Sequence, residues 1–247
     1  MMEHYYLTDP GKVREQNEDS VIIVNNHSKE YLMAVADGMG GHSNGEIASS
    51  IAITHLADNF KELKSIGNKE DAIYWMRAIT NEINALIYKY TEDNPDSTGM
   101  GTTLVMAIIT DEFLLFGNIG DSSGYVIKNE QLHKITTDHT LVNMLVKSGE
   151  LTEEEAKFHP RKNVLMRALG ANNPIEIDIF DVENEETDVL ICSDGLTNML
   201  TDEQIEKVLA EGKNAEEIVD KLIRKANARG GKDNISVAYL KKESGDL

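Results

Sequence analysis

Apolar strand patterns with only short turns between them fill most of this sequence, and two pairs of helical patterns interrupt them. Consecutive strands joined by short turns favour antiparallel pairing, whereas parallel strands need a long crossover connection. The sequence therefore predicts an α+β fold, a four-layer αββα sandwich in which two antiparallel sheets are flanked by helix pairs. The predicted strands cover residues 20–24, 31–36, 102–109, 112–119, 125–127, 132–136, 176–182, 188–193 and 235–240, and the predicted helices cover 45–60, 69–90, 201–210 and 215–228.

One segment departs from this pattern. Between about Asp138 and Gly170 the strands give way to short amphipathic pieces, which indicates an inserted lobe, called the flap below. A length of 247 residues suits one domain or at most two. We therefore expect residues 1–247 to form a single domain with a flap insertion at about residues 138–170.

The charge of the chain argues against several kinds of partner. Its 43 acidic and 24 basic residues give a formal net charge of −19, which disfavours binding to nucleic acid or to an anionic membrane surface. The longest apolar run, Leu104 to Ile109, is far shorter than the roughly 20 residues that span a bilayer. The N-terminal residues show no secretory signal pattern, and the single cysteine, Cys192, cannot form an internal disulfide. These features predict a cytoplasmic protein.

Several apolar strands are followed or preceded directly by an aspartate. Asp37 and Asp194 each follow a strand and precede a glycine, Asp121 follows the strand at 112–119, and Asp233 comes just before the last strand. A single Asp-Gly pair after a strand usually forms a turn. Several carboxylates at the rim of an apolar core would repel one another, and a divalent cation relieves that repulsion. Because oxygen ligands select hard ions, the pattern predicts a site for Mg²⁺ or Mn²⁺ rather than for zinc or copper.

The motifs around these aspartates resemble those of one enzyme family. Together they look like the metal-dependent serine/threonine protein phosphatases, the PPM or type-2C family, and they are most similar to its compact bacterial members. The resemblance runs from about Thr8 to Leu240. The motifs are, in order, V-R-x-x-N-E-D at 13–19, D-G-M-G-G-H at 37–42 with G-E at 45–46, G-M-G-T-T at 99–103, G-D-S at 120–122, H-P-x-x-N-V-L at 159–165, S-D-G-L-T at 193–197 and G-G-x-D-N-I at 230–235.

The resemblance implies a set of metal ligands. In the family, the aspartate that matches Asp37 bridges two metal ions, and those that match Asp194 and Asp233 complete one of them. The backbone carbonyl matching Gly38 and the acid matching Glu18 serve the other ion. The implied cofactor is therefore a pair of Mn²⁺ or Mg²⁺ ions.

A third, weaker ion is found in bacterial members of the family. Asp121 matches one of its ligands, and the Asp194 position is shared with it. The family usually reads G-D-S-R here, whereas this chain has Ser123 where the arginine stands. We expect that arginine to support the loop that carries the third-ion aspartate. Its absence therefore affects the third metal site and leaves the two-metal core untouched.

The resemblance also implies the residues that act on substrate. Arg14 matches the guanidinium that grips the substrate phosphate, and a planar guanidinium suits two phosphate oxygens. Asp19 is expected to orient metal-bound water. His42 lies five residues after Asp37, where bacterial-type sequences place a histidine, and it is either the general acid or a histidine that bonds loop backbone.

The implied reaction is hydrolysis of phosphoserine and phosphothreonine in proteins. The hypothesised step is in-line attack by a metal-bridging hydroxide, without a phosphoenzyme intermediate. The implied partners are phosphorylated proteins and a cognate serine/threonine kinase whose products the enzyme reverses, and we expect a monomer. The alternative is a non-catalytic relative that binds phosphoproteins without hydrolysing them.

Two other enzyme classes fit single motifs. Residues 120–124 match the G-x-S-x-G elbow of serine hydrolases, but that motif requires a helix after the serine, and a strand pattern follows here. A cysteine phosphatase would need an arginine six residues after Cys192, and position 198 is Asn. Cys192 is therefore expected to be a small core residue.

Overall fold

The computed structural model of the chain describes residues 2–40, 44–129, 131–183 and 187–242. The strands are β1 (Glu3–Asp9), β2 (Asp19–Asn25), β3 (Tyr31–Met39), β4 (Gly101–Thr102), β5 (Leu104–Ile109), β6 (Leu114–Ile119), β7 (Ser123–Lys128), β8 (Gln131–Lys134), β9 (Asp178–Val182), β10 (Asp188–Cys192) and β11 (Ile235–Lys241). The helices are α1 (Asn44–Glu62), α2 (Lys69–Asp93), α3 (Leu141–Lys147), α4 (Glu153–Phe158), α5 (Asp194–Thr197), α6 (Asp202–Glu211) and α7 (Ala215–Ala228), with a short 3₁₀ helix at Pro95–Ser97.

These strands form two antiparallel sheets. The first has the order β1-β11-β10-β7-β8, and the second has the order β2-β3-β5-β6-β9, with β4 paired to β3. One apolar core lies between the second sheet and helices α1 and α2, another between the first sheet and helices α6 and α7, and a third between the two sheets. The predicted α+β, four-layer αββα sandwich is therefore confirmed.

Strand β3 shows why the central strands read as unbroken apolar runs. Leu32, Ala34 and Ala36 belong to the core beneath α1 and α2, whereas Met33 and Val35 belong to the core between the sheets. Successive side chains of a strand point to opposite faces. Both faces of β3 are buried, so every position is apolar until the strand reaches its polar end.

The start of α2 is also explained by local chemistry. The side chain of Asn68 accepts a hydrogen bond from the backbone N–H of Asp71, and the Asp71 side chain accepts one from the N–H of Asn68. This capping box satisfies two N–H groups that have no partner within the helix. The helix predicted to begin after Asn68 is thereby confirmed.

The sequence prediction missed two elements, strand β1 and helix α5. Strand β1 pairs with β11 from Glu3 opposite Lys241 to Asp9 opposite Ile235. Helix α5 is a single turn that starts directly after β10. Strand β1 has mostly half-buried side chains instead of a continuous apolar run, so its pattern is weaker than that of the central strands.

The segment predicted as a flap contains α3 and α4. It returns to the rest of the chain through two isolated bridges, Thr140 with Leu165 and Thr102 with Leu169. Its final part, predicted only as an amphipathic piece, runs along these bridges without forming a helix. Across the described ranges, none of the helices combines the length and apolar character needed to cross a bilayer.

Candidate active site

A cavity of about 410 Å³ opens where the ends of both sheets meet. Its wall includes Arg14, Asp37, Asp121, Asp194 and Asp233. These residues are far apart in the sequence, and each was predicted as a site residue from the motif that contains it. The fold brings them to one cavity because β3, β6 and β10 end, and β11 begins, at the same edge of the sandwich.

Asp37 is held at the end of β3 by two neighbouring threonines. Its backbone N–H donates to Oγ1 of Thr103 at 2.9 Å, and its carbonyl accepts from Oγ1 of Thr102 at 2.9 Å and from the N–H of Thr103 at 2.9 Å. Oγ1 of Thr103 also lies 2.9 Å from Oγ of Ser122. Thr102, Thr103 and Ser122 of the G-M-G-T-T and G-D-S motifs therefore fix the backbone of Asp37, while Thr103 and Asp121 of the same motifs line the cavity.

Asp194 and Asp233 come together because two loop backbones approach closely. A Cβ at Gly195 would lie 1.9 Å from the carbonyl oxygen of Asn234, so no residue with a side chain fits there. Asn198 Nδ2 donates to Oδ2 of Asp194 at 2.9 Å. The glycine of the S-D-G-L-T motif thus allows the loop that carries Asp194 to approach the loop that carries Asp233.

Asn234 joins the end of the chain to its beginning. Its Oδ1 accepts from the N–H of Glu18 at 2.8 Å, and its Nδ2 donates to the carbonyls of Pro10 at 3.0 Å and Gln16 at 2.9 Å. The loop between β1 and β2 is therefore held on both sides of Arg14. Motifs at opposite ends of the sequence form one unit here.

Arg14 points from this loop to Asp233. Its Nη2 donates to Oδ2 of Asp233 at 2.8 Å. The hydrogen bond to Asp233, opposed by partial burial, raises the pKa of the Arg14 guanidinium. Arg14 therefore stays charged and directed at the carboxylates of the cavity.

Glu18 and Gly38 lie behind the cavity wall without lining it. A Cβ at Gly45 would come within 2.8 Å of both Oε1 of Glu18 and the carbonyl oxygen of Gly38. These two oxygens therefore approach a single point that only a glycine at position 45 leaves open. Burial raises the pKa of Glu18, and a hydrogen bond from the N–H of Gly45 opposes that rise.

Asp19 is buried, with 6% of its surface exposed, and it is the residue opposite Asp37 in the β2–β3 pair. Its Oδ2 accepts from Oγ of Ser193 at 2.7 Å, whereas its Oδ1 has no hydrogen-bond partner within the described part of the chain. Burial, opposed by the bond from Ser193, raises the pKa of Asp19 to about 7. An unpaired buried carboxylate oxygen is costly and suits an additional polar or cationic partner.

The cavity carboxylates raise one another's pKa. Burial and then the charges of neighbouring aspartates raise the pKa of Asp37 well above its ordinary value. The same causes raise the pKa of Asp121 to about 7 and that of Asp194 to about 6, and a hydrogen bond from the side chain of Asn198 opposes the shift of Asp194. Like charges at close range favour either protonation or a cation between them.

The donor set fits hard divalent cations, because it consists of carboxylates and a backbone carbonyl. Among the residues that the structure describes, no three acidic, histidine or cysteine side chains are arranged as a complete metal-binding group. Asp233 bonds Arg14, and Asp194 bonds Asn198.

The departure from the usual G-D-S-R motif lies at Ser123, the first residue of β7. Ser123 is buried in β7, with 1% of its surface exposed, and it lies opposite Cys192 of β10. An arginine side chain there would have to leave a packed strand. The loop that carries Asp121 is bonded instead to His139, which exchanges two hydrogen bonds with Gly120.

The structure also bears on the remaining predictions. His42 lies outside the described residues, so its role stays a prediction. The serine hydrolase reading is wrong, because Ser122 is fully buried and strand β7 follows it. Cys192 is a buried core residue, as predicted.

One charged residue of the cavity wall was missed. Arg167 lines the cavity at the end of the flap segment, together with Asn163 and Asn172. It stands in a stretch that was predicted only as an amphipathic piece. An arginine next to apolar residues in that stretch was the one available signal.

Comparison with known proteins agrees with the fold. The family model described as Protein phosphatase 2C matches residues 12–237. A serine/threonine phosphatase, Stp, of Listeria welshimeri is 41% identical over 242 residues, which cover 98% of this chain and 96% of that protein. The protein phosphatase PhpP of Streptococcus pneumoniae is 37% identical over 240 residues, with 97% of each chain covered. The structure of the S. agalactiae serine/threonine phosphatase superposes with a TM-score of 0.93 at 38% identity, covering 98% of this chain and 100% of that one. The chain therefore belongs to the protein phosphatase 2C family of serine/threonine phosphatases.

Proposed function

We propose that this protein hydrolyses phosphoserine and phosphothreonine in proteins and that it requires divalent cations. The observation that carries the proposal is the cavity in which Arg14 stands beside four aspartates. A guanidinium matches the oxygens of a phosphate group, and converging carboxylates match hard cations. The names of the similar proteins support the same substrate class.

Two Mn²⁺ or Mg²⁺ ions are the proposed cofactor. Asp37, Asp194 and Asp233 would hold one ion, while Asp37, Glu18 and the carbonyl of Gly38 would hold the other. Asp121, with Asp194, is the proposed site of a third. Bound cations neutralise the carboxylates, stabilise charge on the phosphoryl oxygens and activate water as the nucleophile.

The protein's own groups fit direct displacement by water. Arg14 orients the phosphate by hydrogen bonds to two of its oxygens. The hydroxyl of Ser122 is buried against Thr103, and the Cys192 thiol is fully buried, with a pKa raised by burial to about 12. Neither is available as a nucleophile, which supports a reaction without a phosphoenzyme.

The protein substrate is proposed to lie against the flap. A second cavity of about 620 Å³ continues from Asp121 and Asp194 between the flap helices and α6. Lys157 and Lys162 stand on its flap side. Such a groove suits the residues that flank a phosphorylated side chain. We further propose a monomer that acts in the cytoplasm, with residues 1–247 as one catalytic domain and a cognate kinase as its counterpart.

Turnover of a phosphothreonine peptide with Mn²⁺ tests the proposal. We expect the wild type to release phosphate, Asp194→Ala to lose this activity, and Asp58→Ala, on the exposed face of α1, to retain it. Peptide binding by the wild type without phosphate release would favour the non-catalytic relative. Phosphate label retained on the protein after a quenched single turnover would exclude direct attack by water.

A further inference from the structure

His139 holds the residue that directly precedes Asp121. The backbone N–H of Gly120 donates to Nδ1 of His139 at 3.1 Å, and the backbone N–H of His139 donates to the carbonyl of Gly120 at 2.9 Å. Gly120 has φ +104°, a conformation that residues with side chains rarely adopt. His139 therefore bonds both backbone polar groups of Gly120, and the carbonyl also accepts from Nδ2 of Asn118 at 3.2 Å. These bonds fix the direction in which the chain enters Asp121.

The second ring nitrogen of His139, Nε2, is also hydrogen-bonded. Nε2 lies 3.0 Å from Oδ2 of Asp178, and Nη1 of Arg167 donates to Oδ1 of Asp178 at 2.6 Å. Because Nδ1 accepts an N–H, the neutral ring carries its proton on Nε2 and donates it to Asp178. The chain of bonds thus runs from the cavity wall at Arg167, through Asp178 and His139, to the Asp121 turn.

We propose that His139 is a positioning residue of Asp121. The inference rests on the proposed metal role of Asp121. Ser123 is a buried residue of β7 whose Oγ has no hydrogen-bond partner among the residues that the structure describes, so its side chain bonds neither Gly120 nor Asp121. His139 has only 9% of its side chain exposed and bonds both polar groups of Gly120. Substitution of a residue that orients a metal ligand through a hydrogen bond typically changes metal affinity by about 10- to 100-fold.

Two substitutions test the hydrogen bonds at Nδ1 and Nε2 of His139 separately. His139→Asn keeps an acceptor near the position of Nδ1 and so retains the bond from Gly120, whereas His139→Gln keeps a donor near the position of Nε2 and retains only the bond to Asp178. We measure the weakest Mn²⁺ binding step of the metal-free protein by calorimetry, alongside the thermal midpoint. His139→Gln and His139→Ala should weaken this step about tenfold. His139→Asn and the control His133→Ala, at an exposed position of β8, should stay within about twofold of the wild type.

An Asp121→Asn background shows whether His139 acts through Asp121. Asp121→Asn alone should weaken the same binding step, and adding His139→Gln should weaken it no further, because the ligand being positioned is already lost. Equal Mn²⁺ affinities for His139→Gln and wild type, at whatever thermal midpoint, would overturn the inference, as would a full additional loss in the Asp121→Asn background. Unchanged Mn²⁺ binding in Asp121→Asn itself would overturn the metal role of Asp121 and, with it, this inference, while leaving phosphatase turnover at the two-metal core testable.

Discussion

Arg14 and Asp233 lie near opposite ends of the sequence and form an ion pair, with 2.8 Å between Nη2 and Oδ2. Their side chains are 52% and 36% exposed, so the pair contributes little to folding stability. Its importance is positional, because it directs the proposed phosphate-binding group at a proposed metal ligand. A phosphate held by Arg14 would therefore lie directly beside the carboxylates.

The first prediction concerns the shape of this guanidinium. Arg14→Lys keeps the positive charge but loses the planar fork that matches two phosphate oxygens. Loss of a charge-assisted hydrogen bond corresponds to about 1.5–3 kcal/mol, or about 10- to 100-fold in kcat/KM for a phosphothreonine peptide. The thermal midpoint should stay nearly unchanged. Full activity of Arg14→Lys would show that Arg14 does not bind the phosphate in this way.

The second prediction concerns the glycine between Asp194 and its neighbour loop. Gly195→Ala would place a Cβ 1.9 Å from the carbonyl oxygen of Asn234, so one of the two loops must move. We expect a loss of about 3 kcal/mol in the free energy of unfolding, measured by urea denaturation. Gly99→Ala is the matched control, because its Cβ would meet nothing within 4 Å and its only cost is φ +86°, about 1 kcal/mol. Equal losses at the two positions would argue against the close approach.

The third prediction concerns pH and the metal-free protein. The folded-state pKa values of Asp19 and Asp121 are raised to about 7 and that of Asp194 to about 6, against 3.8 for an ordinary aspartate. The folded state therefore binds more protons than the unfolded state between these values, and its stability must fall as the pH rises through them. We expect the thermal midpoint to decrease from pH 5 to pH 8.

Two comparisons test the origin of this pH dependence. Asp194→Asn removes one of the raised pKa values and should reduce the slope of the thermal midpoint against pH. Saturating Mn²⁺ should also reduce it, because cations replace protons as the partners of the carboxylates. A midpoint that increases with pH in the absence of metal would contradict the burial of these groups.

The fourth prediction concerns Cys192. Its thiol is fully buried, and burial raises its pKa to about 12, so hardly any thiolate exists at neutral pH. A thiol reagent should label the unfolded protein and leave the native protein unlabelled over the same time. Cys192→Ala should retain turnover. Rapid labelling that abolishes activity would reopen the possibility of a cysteine nucleophile.

The central strands and the longer helices could be predicted because their causes are local. Alternate residues of β3 face two different cores, which requires an apolar run, and Asn68 caps α2 through residues within one turn. Strand β1 could not be predicted in the same way, because its partner β11 lies at the other end of the chain. Pairing over that distance leaves no pattern within β1 itself.

The candidate site also contains features that could be predicted from the sequence and features that could not. The motifs predicted which carboxylates belong together, since each follows or precedes a strand at one edge of the fold. They did not predict how these residues are held. The clamp of Asn234 on the loop around Arg14 and the bonds of His139 to Gly120 depend on contacts between distant segments. Arg167 was missed because its wall of the cavity forms only when the flap segment returns to the sheets.

Mn²⁺ binding and phosphate release, measured on one metal-free preparation, test the central claim most directly. We expect the wild type to release phosphate from a phosphothreonine peptide only as Mn²⁺ binds, and Asp58→Asn to behave in the same way. Asp37→Asn should lose both properties by more than about 100-fold, beyond the usual effect of changing an outer partner of a metal ligand. Phosphate release that persists in chelator, or in Asp37→Asn with unchanged Mn²⁺ dependence, would contradict a metal-dependent phosphatase centred on Asp37.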